Sequence, residues 1–193
     1  MNRHLTPVCK TAILINGIPA SGKSTITRLL AETFSLPVLT IDGIKEPFMA
    51  RLAPVDRPMN RQLGCAAYEV IWSIVAASPA SMVWLIDAWF GFQPRETLQK
   101  LLRQAGVEQV IEIWNHISPE LAVARYASRL ATRPPGHPGE EYLPELAQLA
   151  GRAQPMSLGP LLTIDQQRPL EITAVIHWLE GTISGQRTGL ANY

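Results

Sequence analysis

The sequence predicts an α/β fold, a parallel sheet with helices on both faces, on three observations. Short apolar runs of strand length alternate with longer segments whose apolar residues recur at helical spacing. Two of those runs end on an aspartate, Asp42 and Asp87. Between the first run and the first helical segment lies NGIPASGKST, Asn16 to Thr25, which concentrates glycine and proline where a turn is needed. Alternation of this kind implies parallel strands joined by right-handed crossovers, with ligands beyond the carboxyl ends of the strands.

Each element has its own justification. Thr11 to Ile15 is an apolar run without alternation, as in a strand buried on both faces. Ile26, Leu29, Leu30, Thr33 and Phe34 then repeat at helical spacing. Pro37 to Ile41 is the second strand, ending at Asp42, and a helix follows from about Ile44 to Leu52. Pro54 and Pro58 break the chain before a longer helix, with Leu63, Ala67, Val70, Ile71, Ile74 and Val75 on one face. Met82 to Ile86 is the third strand, ending at Asp87; Gln93 to Ala105 is a helix closed by Gly106. Val107 to Trp114 is the fourth strand. Ser118 and Pro119 supply an N-cap and first-turn proline to an arginine-bearing helix. ATRPPGHPGEEY has the composition of a mobile loop, GPLLTID is the fifth strand, and a last helix runs from Pro169 to Glu180, stopped by Gly181.

At 193 residues and 47% hydrophobic composition the chain is expected to form a single domain, residues 1–193, with a substantial core. Lys and Arg number 17 against 16 acids, so no basic excess advertises nucleic acid. Cys9 and Cys65 lie in no CxxC or Cys/His pattern and read as thiols in a reducing compartment. The N-terminal stretch lacks a signal-peptide apolar region, and MVWLI and VIWSIVAA are too short to span a bilayer. A cytoplasmic protein with no membrane partner is expected.

Gly17, Ile18, Pro19, Ala20, Ser21, Gly22, Lys23 and Ser24 match GxxxxGK[ST] in full, with Thr25 next, after a strand and at the start of a helix. Wrapping backbone amides around anionic oxygens needs glycine at close approaches, and the helix N-terminus adds favourable partial charge. Lys23 would reach β- and γ-phosphates and Ser24 would ligate Mg²⁺, so a nucleoside triphosphate with magnesium is expected.

Asp87 follows the apolar run MVWLI and can hold the metal through water or orient an acceptor. Asp42 either takes the proton of an attacking hydroxyl or caps the following helix. Arg125, Arg129 and Arg133 recur every fourth residue, so one helix face could offer three guanidinium groups to a transferring phosphoryl group. His137 reads as a solvent-exposed loop histidine rather than a catalytic one, and His116 and His177 carry no usable signal. Trp89, Phe90 and Phe92 either wall a ring-bearing substrate or pack beneath the next helix.

The glycine loop, Asp42-Gly43-Ile44-Lys45, Asp87, the arginine helix and Gly159 to Asp165 together resemble the small P-loop kinases grouped with polynucleotide 5′-kinases, zeta toxins and chloramphenicol phosphotransferase. Within that group the chain is most similar to uncharacterised bacterial predicted kinases, which also carry an R-x-x-x-R lid helix and a His-Pro-Gly loop. The resemblance implies a three-layer P-loop NTPase fold of strand order 2-3-1-4-5, with a short arginine-bearing lid over about residues 118–145. It implies ATP and Mg²⁺ as cofactors, Asp42 as general base, and Arg125, Arg129 and Lys23 acting on the phosphates, with Arg133 beside the nucleotide. Lys45 falls where polynucleotide kinases have an arginine, and a lysine cannot make the bidentate contact of an arginine. Asp42, Lys45, Asp87 and Phe90 would meet the acceptor; residues 165–167 would pass the adenine.

The resulting expectation is phosphoryl transfer to a hydroxyl of a sugar, sugar nucleotide, antibiotic or similar metabolite, by a monomer or homodimer. A polynucleotide 5′-kinase is the alternative within enzymes, disfavoured by near-neutral charge. A non-transferring nucleotide switch is the alternative outside them. Against a guanine-specific switch, WNHIS after the fourth strand lacks the N/TKxD pattern.

Overall fold

The computed structural model describes residue 5 and residues 9–185. Its five strands are β1 (Thr11–Asn16), β2 (Val38–Thr40), β3 (Val83–Ala88), β4 (Gln109–His116) and β5 (Leu161–Asp165). All pair in parallel in the order β2-β3-β1-β4-β5. The helices are α1 (Lys23–Phe34), α2 (Ile41–Leu52), α3 (Arg57–Ala77), α4 (Arg95–Gln104), α5 (Pro119–Ala127), α6 (Leu143–Arg152) and α7 (Ile172–Gly185).

Successive side chains of a strand point to opposite faces, and β1 shows the consequence. Ala12 and Leu14 join a core with Tyr68, Ile71 and Val75 of α3 and Leu98 and Leu102 of α4. Ile13 and Ile15 join the other core, with Ile26 and Leu30 of α1 and Val175 and Leu179 of α7. Every residue of β1 is buried, which is why its sequence does not alternate. Each fully buried Ile or Leu contributes about 1.5–3 kcal/mol, so the central strands form the rigid platform beneath the site.

Buried polar groups tie this platform together. Lys10 Nζ donates to the carbonyls of Val75 (2.9 Å), Ala76 (3.1 Å) and Ala105 (3.2 Å), covering the C-terminal ends of α3 and α4. The α4 end is a Schellman motif. Gly106 has φ +67°, its N–H donates to Arg103 O, and the Val107 N–H reaches back to Leu102 O. The fully buried Glu112 accepts from Asn16 Nδ2 at 2.7 Å and from the amides of Met156 and Ser157.

Several boundaries differ from the sequence expectation. Strand β2 ends at Thr40, whose hydroxyl accepts from Gly43 N at 2.7 Å and so caps α2. Asp42 therefore lies inside the first turn and is not the cap. The buried face of α3 carries Ala67, Tyr68, Ile71, Trp72 and Val75, whereas Val70 and Ile74 are exposed. Helix α7 continues through Gly181 to Gly185, because Leu179 and Ile183 pack on the sheet. That packing outweighs the cost of about 1 kcal/mol for a helical glycine. Helix α6 was not anticipated; it buries Leu146 and Ala150 against Ala122 and Tyr126 of α5. The loop before it is held at its middle. Tyr126 Oη donates to Pro138 O at 2.9 Å, and Asn60 Nδ2 donates to Gly136 O. No helix among the described residues is long and apolar enough to cross a membrane.

Candidate active site

The glycine loop joins β1 to α1 at the carboxyl edge of the sheet. Its backbone takes left-handed conformations at Ala20 (φ +68°) and Gly22 (φ +80°) and a positive φ of +155° at Gly17. For alanine this costs about 1–2 kcal/mol, a local strain typical of ligand-holding turns. A Cβ at Gly17 would run into Ser21 Oγ and approach Asn115, so glycine is required for the fold-back. A Cβ at Gly22 would come within 2.5 Å of Gln166 Oε1. The buried Ser21 Oγ lacks a hydrogen-bond partner among the described residues. Ile18 packs beneath α5 and α6, and Thr25 is exposed on the first turn of α1.

Lys23 folds back over this loop and donates to Ile18 O at 3.0 Å. Burial pushes its pKa below the ordinary lysine value; Asp87 and Asp42 pull it up, and Arg129 and Arg133 push it further down. Asp87 sits on β3 opposite Ile15 of β1 on one side and Thr40 of β2 on the other. Its Oδ2 accepts from Ser24 Oγ at 2.9 Å and Thr27 Oγ1 at 3.4 Å. Burial raises the Asp87 pKa, opposed by the charge of Lys23 and the Ser24 hydrogen bond. The residues fit a nucleotide phosphate tail with its metal. Anion-facing amides need no side chain in the way, and the paired Ser24 and Asp87 oxygens are hard donors suited to Mg²⁺.

Asp42 lies across the same cavity with its side chain 57% exposed, 3.1 Å from the Nζ of Lys45, which is 9% exposed. Partial desolvation by the cavity walls would by itself raise the Asp42 pKa. The charge and hydrogen bond of Lys45, with His137 and Lys23, outweigh it and hold the carboxyl below its ordinary range. Lys45 also reaches Asn60 Oδ1 at 3.5 Å.

His137 corrects the expectation of a solvent-exposed residue, since its side chain is only 3% exposed. Nε2 lies 2.8 Å from Glu46 Oε1, and Arg133 Nη2 lies 3.1 Å from Nδ1. Burial, reinforced by Lys45, lowers its pKa and favours the neutral ring. Arg133 can only donate, so Nδ1 accepts and the Nε2–H donates to Glu46. Ligand atoms of Asp42, Glu46 and His137 lie within 4.8 Å of one another, and the Lys45 ammonium already answers part of that charge.

The three arginines do not share one helix face. Helix α5 ends at Ala127, and Arg129 and Arg133 flank the 3₁₀ turn Leu130–Thr132 that follows. Arg125 donates to Gln166 Oε1 at 2.9 Å and Gln166 O at 3.3 Å and does not line the cavity. Arg129 and Arg133 do line the cavity; Arg133 lies 4.4 Å above the Tyr126 ring. Burial, then the charges of Arg133 and Arg125, lowers the pKa of Arg129.

These residues surround one cavity of about 890 Å³. Phe90 is not part of it: the ring is fully buried against Tyr68 in the core beneath α3. Trp89 and Phe92 line the cavity instead. Sequence reasoning also missed Asn60, Arg61 and Tyr142 in the lining, and Asn115, which accepts from Gln166 Nε2 at 3.1 Å and donates to Asn16 O. Only the helical spacing of Asn60, Arg61 and Gly64 hinted at a shared face.

No protein-family model matches the sequence, and no curated protein matches it. Among solved structures, a "putative kinase" from Chloroflexus aurantiacus is 26% identical, with TM-score 0.76, covering 90% of this chain and 98% of that one. A gluconokinase from Sinorhizobium meliloti 1021 is 16% identical, with TM-score 0.58 and 97% of each chain covered. A shikimate kinase from Acinetobacter baumannii, in complex with shikimate, is 17% identical, with TM-score 0.54, covering 93% of this chain and 96% of that one. With its parallel sheet in the order 2-3-1-4-5 and helices on both faces, this chain has the three-layer fold of the P-loop kinases.

Proposed function

We propose that this protein transfers the γ-phosphoryl group of ATP, with Mg²⁺, to a hydroxyl of a small molecule such as a sugar, sugar nucleotide or antibiotic. The observation that carries this reading is one cavity lined by two carboxylates in different surroundings. Asp87 is buried and bonded to Ser24, whereas Asp42 is exposed and held ionised by Lys45. Pairs of acids pushed in opposite directions mark a division of roles. The resemblance to polynucleotide kinases, zeta toxins and chloramphenicol phosphotransferase points the same way.

The glycine-loop amides and Lys23 hold the phosphate tail. Ser24 and Asp87 would hold magnesium, which when bound neutralises phosphate charge. Asp42 takes the acceptor's hydroxyl proton as that oxygen bonds to phosphorus and ADP departs with the electron pair of the broken P–O bond. Lys45 keeps Asp42 ionised and aimed. Arg129 offers late charge to the equatorial oxygens, while Arg133, braced by His137 and Tyr126, positions the loop beside it. Arg125 acts on the nucleotide side through Gln166. Rate enhancement comes from positioning and charge rather than covalent chemistry.

The test is incubation of pure protein with ATP, Mg²⁺ and a pooled library of hydroxyl compounds, read by mass spectrometry for gain of one phosphoryl group. Asp42→Asn is expected to lower turnover by about 10²–10⁴-fold while ATP affinity stays within a few-fold. Unchanged turnover removes Asp42 as the base, and phosphorylation of oligonucleotides alone would move the assignment to a polynucleotide kinase.

A further inference from the structure

Helix α3 presents Arg57, Asn60, Arg61 and Gly64 to the cavity, positions i, i+3, i+4 and i+7 of one face. The cations in the lining differ in how they are answered. Lys45 is paired with Asp42 and Arg57 with Glu145 of α6. Arg133 rests on Tyr126 and His137, Lys23 is folded onto the glycine loop, and Arg129 gives its Nε–H to Arg125 O at 3.1 Å. Among the described residues Arg61 has neither an ion pair nor a hydrogen bond. It stands on an element that carries no part of the phosphate loop.

Two glycines shape the surface around it. Gly64 lies inside α3 with helical backbone, so no unusual dihedral calls for glycine, and a Cβ there would meet nothing within 4 Å. Its presence costs about 1 kcal/mol relative to alanine and leaves a bare stretch of helix one turn from Arg61. Gly91 is different: a Cβ would collide with the indole of Trp89, so its absence lets that ring lie over the backbone. Trp89 is braced by Trp114, with ring centroids 5.9 Å apart, and Phe92 is braced edge-on by Tyr68 at 5.1 Å. The cavity thus combines fixed aromatic walls, cleared space and an unanswered guanidinium.

We propose that the phosphoryl acceptor is itself an anion, whose carboxylate or phosphate is held by Arg61 while its body fills the space over Gly64 and rests on Trp89 and Phe92. This rests on the phosphotransferase reading. A guanidinium answers a carboxylate or phosphate with paired, charge-assisted hydrogen bonds, and an amphipathic aromatic surface takes the flat or apolar part of the molecule.

The experiment uses matched acceptors that differ in one charged group: aldonic acids against aldoses, sugar phosphates against sugars, and hydroxymethylbenzoates against benzenedimethanols. Steady-state transfer from ATP with Mg²⁺ is measured for the wild type and for Arg61→Gln and Arg61→Lys. The anionic member of one class is expected to exceed its neutral partner in kcat/KM by at least about tenfold. Arg61→Gln should raise KM for that anion about 10–100-fold and erase the preference, with the lysine variant recovering part of it. Whether carboxylates or phosphates show the effect identifies the group. Equal or better use of neutral members, or a preference that survives Arg61→Gln, overturns the anionic acceptor and leaves the phosphotransferase standing. Failure to phosphorylate any member, with MgATP still bound, overturns both.

Discussion

Gly22→Ala offers a sharp test of the glycine loop, because its cost has two separable parts. The first is conformational: an alanine at φ +80° pays about 1–2 kcal/mol. The second is steric, since the new Cβ would fall 2.5 Å from Gln166 Oε1. Gln166 is flexible and can swing away, at the expense of its bonds from Arg125 Nη1 at 2.9 Å and to Asn115 Oδ1 at 3.1 Å. Partly exposed bonds of this kind are worth about 0.5–1.5 kcal/mol each, so the substitution should cost about 2–5 kcal/mol in all. In a Gln166→Ala background the second part is already gone, and Gly22→Ala should then cost only about 1–2 kcal/mol. Urea denaturation of the four proteins of this double-mutant cycle measures both values. Equal costs in the two backgrounds would refute the packing of Gln166 over the loop, and with it the role proposed for Arg125 through Gln166.

Further outcomes follow from the same contacts. Because Lys45 helps hold the Asp42 carboxyl below its ordinary range, the acid limb of kcat/KM against pH should lie below that range, and Lys45→Met should move it upward. For folding the sign is the same. The lowered Asp42 pKa adds stability above its unfolded value of about 3.9, lost as pH falls through the folded pKa, which acid titration of thermal stability would show. Lys10→Met should lower Tm by several degrees, since it strips the donor from three carbonyls at the ends of α3 and α4. Tyr126→Phe removes the bond to Pro138 O and should cost about 0.5–1.5 kcal/mol by denaturant titration.

How much could be read beforehand depended on how local each determinant is. The glycine loop is legible because left-handed backbone and close approach restrict residue choice within eight consecutive positions. β1 is legible because burial on both faces leaves no polar residue among Ala12 to Ile15. Asp87 near the end of β3 is legible for the same reason, as the first ionisable residue after a buried run. Boundaries were less visible. Asp42 and Thr40 are both good caps in isolation, and only the hydroxyl geometry of Thr40 beside Gly43 decides between them.

What the sequence determined by itself was the alternation of five strands with most of the helices, the glycine loop between the first strand and the first helix, and an acid near the end of the third strand, since each follows from dihedral restriction or periodicity along a few adjacent residues. Tertiary structure alone decided that Phe90 belongs to the core while Trp89 and Phe92 face the cavity, that His137 is buried between Arg133 and Glu46, and that Arg61 stands unanswered on α3. Those outcomes depend on which distant segments meet. His137 touches Glu46 across 91 residues of chain, a separation at which no local spacing rule carries information.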